Sequence, residues 1–131
     1  MSGELKKVLY IDDEQDILDI VQMCLETIGN LEVTTSTNSK DALSLMNEVR
    51  PDLVMLDVMM PESDGPSVLN EIRKHKEFED IPILFVTARV QSEDIDNYKK
   101  LGAASVISKP FDPMEISNEV QEAWREYHDG K

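Results

Sequence analysis

Short apolar runs alternate with longer stretches of helical periodicity along the whole of this 131-residue chain, and that alternation leaves few folds open. Lys7-Val8-Leu9-Tyr10-Ile11 is a continuous β-branched and aromatic run that stops at Asp12-Asp13. From Asp16 the apolar positions become Ile17, Ile20, Val21, Cys24, Leu25 and Ile28, the spacing of one buried helical face, closed by Gly29 at the C′ position. Cys24 lies on that face and reads as a small core residue. Leu31 to Thr35 is a half-polar strand suited to a sheet edge. Ser39 then caps a helix that turns Ala42, Leu45, Met46 and Val49 inward.

Leu53-Val54-Met55-Leu56 is apolar throughout and ends at Asp57, as a strand buried on both faces does. A loop of helix breakers follows from Pro61 to Gly65, and Pro66 opens a helix carrying Val68, Leu69 and Ile72. Ile81 to Val86 is another buried strand, with Pro82 tolerable only near its beginning. A helix of mixed polarity from Ser92 to Leu101 ends at Gly102, and Val106-Ile107 forms a last short strand. The final helix gathers Ile116, Val120, Ala123, Trp124 and Tyr127 on one side. Strands and helices in strict alternation mean right-handed crossovers and a parallel sheet covered on both faces. The reading is one α/β domain over residues 1–131, with its core at about 6–128.

Charge narrows the partners. Against 13 Lys and Arg stand 27 Asp and Glu, a net charge of -14. Such a field repels phosphate backbones and anionic lipid, so nucleic acid and membrane surfaces are disfavoured. The single cysteine can neither close an internal disulfide nor build a zinc site. No apolar run approaches the roughly 18 residues of a membrane span, and Met-Ser-Gly-Glu-Leu-Lys-Lys is no signal peptide. The default compartment is the cytoplasm.

Polar residues gather where strands finish: Asp12 and Asp13 after the first, Asp57 after the third, Thr87 after the fourth, Lys109 after the fifth. In an open parallel sheet, ligands bind beyond the carboxyl ends of the strands, where strand order reverses. If the first and third strands are neighbours, three carboxylates converge and need a counter-charge. Oxygen-only ligands suit Mg²⁺, and Lys109 and Thr87 suit phosphoryl oxygens. Each residue alone reads as a cap or turn; all five at carboxyl ends are not explained that way.

Several motifs together resemble the CheY-like receiver domain of two-component response regulators, over essentially the whole chain. They are Val8-Leu9-Tyr10-Ile11-Asp12-Asp13-Glu14, then Pro51 to Pro61 around Asp57 with Asp64-Gly65. Pro82 to Ala88, Leu101-Gly102-Ala103-Ala104 and Ser108-Lys109-Pro110-Phe111 complete the set. The resemblance implies a flavodoxin-like (βα)5 fold with strand order 2-1-3-4-5. It implies a phosphoacceptor that is no conventional turnover enzyme, with Asp57 taking a phosphoryl group from a histidine kinase or phosphotransfer protein. Asp13 and Asp57, Asp12 through water, and the backbone carbonyl of Met59 would hold Mg²⁺. Lys109, the Thr87 hydroxyl and the Ala88 N–H would receive the phosphoryl oxygens. A cis Lys109–Pro110 bond belongs to the same pattern.

One departure concerns output to a downstream effector. Where many receivers carry an aromatic ring three positions before the lysine, this chain has Val106. Readout is then expected through Ile95, Tyr98 and the last helix, or through onward transfer to a partner. That partner is expected to dock near Gln15, Leu18 and the Pro110-Phe111 loop. The chain reads equally as a stand-alone receiver or as a piece of a larger regulator or hybrid kinase. Competing readings fit less well. A flavin or dinucleotide site needs a glycine-rich turn after the first strand, and Asp12-Asp13-Glu14-Gln15-Asp16 would repel phosphate. A haloacid-dehalogenase-type phosphatase expects a second aspartate at the position of Met59. A silent receiver would not need all five site residues.

Overall fold

Five parallel strands form one sheet in the order β2-β1-β3-β4-β5, the order implied by the family resemblance. The computed structural model describes residues 4–60, 64–88 and 91–129, so the Pro61–Ser63 part of the breaker loop lies outside the described residues. The strands are β1 (Lys7–Ile11), β2 (Glu32–Ser36), β3 (Leu53–Asp57), β4 (Ile83–Thr87) and β5 (Ser105–Ser108). Between and after them come α1 (Gln15–Thr27), α2 (Ala42–Val49), α3 (Gly65–Arg73), α4 (Ser92–Leu101) and α5 (Ile116–Asp129). Together these make a flavodoxin-like α/β fold. No helix among the described residues is long and apolar enough to cross a membrane.

The two-residue period of the strands divides the core. Val8, Tyr10, Leu53, Met55, Leu84 and Val86 face α1 and α5, where Leu18, Val21, Leu25, Ile116 and Val120 meet them. Leu9, Ile11, Val54, Leu56, Ile83 and Phe85 face the other way, onto Ala42, Met46, Leu69 and Ile72. Parity therefore decides which strand-end side chains can meet. Residues 12, 57 and 109 continue the series that faces α1 and α5.

Three local expectations are corrected. On α1 the buried line is Leu18, Val21, Cys24 and Leu25, while Ile20 and Ile28 stand about half exposed. Leu18, Val21 and Leu25 recur at i, i+3 and i+7, which rotates the docked face away from Ile20. Leu18 is thus unavailable to a partner. Gly29 does stand at C′, one residue past the Ile28 cap, but the left-handed residue is Asn30 (φ 55°), and Gly29 is wanted for space. A Cβ there would collide with Ser117 Oγ of α5 and stand 2.8 Å from the Leu25 carbonyl. Ser39 does not cap α2. Asn38, extended one residue earlier, accepts the Lys40 N–H at 3.0 Å, and Ser39–Asp41 forms a single 3-10 turn leading into the helix.

Asp64 caps α3 by accepting the Ser67 N–H at 2.9 Å, with Pro66 in the first turn. The Gly65 N–H donates to the Val58 carbonyl at 2.9 Å, drawing this helix start against the end of β3. An added Cβ on Gly65 would lie 2.8 Å from the Asp57 carbonyl oxygen and 3.1 Å from Val58 Cα, both backbone. Gly65→Ala should therefore lower stability by about 1–3 kcal/mol. Urea unfolding checks this; an unchanged midpoint would mean the close approach imposes nothing.

Candidate functional site

Asp12 is the first residue past β1 and is fully buried, which a carboxylate tolerates only with partners. It has three. Its Oδ2 accepts the Tyr10 hydroxyl at 2.6 Å and the Lys109 ammonium at 2.9 Å, and its Oδ1 accepts the Glu14 N–H at 3.0 Å. Asp57 ends β3, 5 % exposed, and its Oδ1 accepts Lys109 Nζ at 3.3 Å. Asp13 sits on the solvent side. One carboxylate oxygen from each of Asp12, Asp13 and Asp57 falls within 4.8 Å of the others.

Lys109 reaches this cluster because β5 delivers it there. Its N–H donates to the Thr87 carbonyl at 2.9 Å, continuing the β4–β5 ladder beyond the Thr87–Ser108 pair. The Lys109–Pro110 bond is cis, as the resemblance implies. The ammonium stands between Asp12 and Asp57, with Glu14 Oε1 farther off at 3.6 Å.

Burial and charge crowding together shift the protonation of Asp57, Lys109 and Tyr10. Burial pushes the Asp57 carboxyl up to about 6; Asp12 reinforces this, Lys109 opposes it, and Asp13 adds to it. Burial works to lower the Lys109 ammonium, but the Asp12 bond and the Asp12 and Asp57 charges outweigh it and leave it raised. The Tyr10 phenol is pushed far up, by burial first and then by its bond to Asp12, so it remains a donor.

Oxygen donors alone, two buried and one open to solvent, make a hard-cation set, and the excess of negative charge over one lysine favours a divalent ion. The cluster has the composition of a receiver Mg²⁺ site. Thr87 is buried at the end of β4, Ala88 is exposed just after it, and Met59 is 73 % exposed two residues past Asp57. All three stand at the same end of the sheet as the carboxylates. A large cavity bounded by Lys6, Leu31, Trp124 and Arg125 lies beside the start of β1 and the end of α5 instead.

Two cluster members go unnoticed in a reading of motifs. Tyr10 looks like one apolar residue in an apolar strand, yet it precedes Asp12 by two and so shares its face. That spacing was the available signal. Glu14 offers none, because its backbone N–H does the bonding to Asp12.

Comparison with known proteins agrees with this geometry. The family described as "Response regulator receiver domain" matches residues 8–121. The response regulator SaeR of Staphylococcus aureus (strain USA300) is 39% identical over 125 residues, covering 92% of this chain and 53% of SaeR. The chain thus spans about half the length of that curated relative. The chemotaxis protein CheY4 of Vibrio cholerae superposes with a TM-score of 0.83 at 29% identity, over 91% of this chain and 98% of that one. The receiver domain of Francisella response regulator 1452 gives 0.80 at 28% identity, over 92% and 98%.

The raised Asp57 carboxyl makes stability depend on pH. Its pKa is about 6 in the fold against an ordinary 3.8, so the folded state holds the proton more tightly. Above about pH 6 the group is ionised in both states and its full cost falls on the fold; below about pH 4 that cost is absent. In EDTA at about pH 7.5, Asp57→Asn should be more stable than the parent by about 1–3 kcal/mol. The gap should close as the pH falls toward about 4. Urea unfolding across that range tests it, and a variant no more stable at neutral pH contradicts it.

Proposed function

This chain belongs to the response regulator receiver family, and from that premise we propose that Asp57 accepts a phosphoryl group in a Mg²⁺-dependent reaction. Receivers are phosphoacceptor signalling modules rather than turnover enzymes. One observation carries the reading: Lys109 bridges Asp57 and Asp12 in a cluster where Asp13 supplies a third, solvent-facing carboxylate.

A carboxylate oxygen of Asp57 attacks the phosphorus of a phosphohistidine. The O–P bond forms as the N–P bond breaks, and the imidazole leaves with the bonding pair and takes up a proton. The transition state is loose, with negative charge spread over the equatorial oxygens, so catalysis is mainly positioning and charge neutralisation. Lys109 already stands beside Asp57 Oδ1 and pairs with the incoming phosphoryl oxygens. The Thr87 hydroxyl and the Ala88 N–H donate to the same group. Mg²⁺ would be held by Asp13, Asp57 and the Met59 carbonyl, with Asp12 through water, and would supply positive charge to the transferring group.

The donor is a histidine kinase or histidine phosphotransfer protein. Gln15 opens α1 just past Asp13, and on the exposed side of that helix lie Ile20 and Met23, 45% and 59% exposed. With the Pro110-Phe111 loop they form the docking surface, in place of the buried Leu18. Output runs through protein contacts to a downstream effector that reads the loops around Asp57, or through onward transfer. Val106 is half-buried with little surface to exchange, and Tyr98 already packs edge-on against Phe85 at 5.5 Å between centroids.

Incubation with acetyl phosphate and Mg²⁺ should label the protein, and Asp57→Asn should abolish labelling. Asp13→Ala should weaken Mg²⁺ binding at least tenfold, and millimolar Mg²⁺ should raise the parent's melting temperature by mass action. Full labelling of Asp57→Asn would move the acceptor elsewhere.

A further inference from the structure

We infer that Tyr10 is a positioning residue of this cluster: its hydroxyl fixes the Asp12 carboxylate for the metal site and keeps Lys109 shared with Asp57. This rests on the phosphoacceptor reading, since it names what holds one of that reading's acidic groups in place. Tyr10 is fully buried in β1 among Val8, Met55 and other apolar side chains of the α1 and α5 face, where a phenylalanine would pack without a hydroxyl to satisfy. That hydroxyl lies 2.6 Å from Asp12 Oδ2, the length of a charge-assisted bond.

The geometry around Asp12 gives the bond a purpose beyond satisfying a phenol. Tyr10 holds Oδ2 and the Glu14 N–H holds Oδ1, so two donors on opposite oxygens fix the carboxylate plane. Lys109 approaches Oδ2 as well, closer at 2.9 Å than it stands to Asp57 at 3.3 Å. Without the hydroxyl, Asp12 loses one of its two donors on that oxygen. The carboxylate plane is then held only by the Glu14 N–H and the flexible lysine, and the ammonium is drawn toward it and away from Asp57. The Tyr10 ring is itself braced edge-on by Phe111, with centroids 6.5 Å apart. Magnesium demands near-ideal octahedral geometry, so a less firmly held carboxylate weakens its binding; partners that orient such ligands are commonly worth about tenfold or more in affinity.

The test is calorimetric titration of Mg²⁺ into the parent and Tyr10→Phe proteins, with unfolding in EDTA as the check on folding. Tyr10→Phe should raise the Mg²⁺ dissociation constant about 3–10-fold, and its acetyl phosphate labelling rate should return toward the parent's at saturating Mg²⁺. A folded Tyr10→Phe that binds Mg²⁺ as the parent does overturns the positioning role and leaves the phosphoacceptor reading standing. A variant that does not fold assigns Tyr10 to the core and overturns it equally. A parent that binds no Mg²⁺ overturns both.

Discussion

One ammonium among several carboxylates is the constraint on which the carboxyl end of this molecule depends. Lys109 lies within 4 Å of Asp12, Asp57 and Glu14, and two of those carboxylates are buried. Desolvating such groups is costly, and a single cation offsets only part of their mutual repulsion. Burial first, and then the Asp12 charge that the lysine does not cancel, raises the Asp57 carboxyl. An arrangement with unspent negative charge at a solvent-open edge is poor for stability and well suited to recruiting a cation and then a phosphoryl group.

The fold supplies this arrangement through strand parity more than through loop shape. β1 and β3 are adjacent and in register, Tyr10 opposite Met55 and Ile11 opposite Leu56, so the next step on each strand brings Asp12 and Asp57 side by side. β5 sits at the sheet edge, separated from β3 by β4, and Lys109 must reach across. The long lysine stem suits that span, covering apolar surface while its head stays with the carboxylates. Glycine at position 65 lets α3 begin against the Asp57 carbonyl, so β3 ends in a tightly held turn.

Much of this was legible in the residues alone. The continuous apolar runs of β1, β3 and β4 announce strands covered on both faces, and each ends at or beside the polar residue that matters. The strand order was less accessible, since alternation of elements fits several parallel sheets, and it came with the family resemblance. Periodicity misplaced Leu18 and Ile20 because a helix with apolar residues on several sides docks by the line that best fills the sheet. Ser39 was misread as a cap because Asn38, one residue earlier, competes for the same role. Tyr10 escaped because an aromatic residue in an apolar strand carries no mark of its hydroxyl's partner; only its two-residue offset from Asp12 pointed there.

The most direct test of the central claim is chemical identification of the phosphorylated residue. The protein would be incubated with acetyl phosphate and Mg²⁺, then treated with borohydride, which reduces an aspartyl phosphate to homoserine. Peptide mass spectrometry should find homoserine at position 57 and unmodified aspartate at positions 12 and 13. Homoserine at either of those positions, or none at all in a protein that binds Mg²⁺, would contradict the assignment of Asp57 as the acceptor.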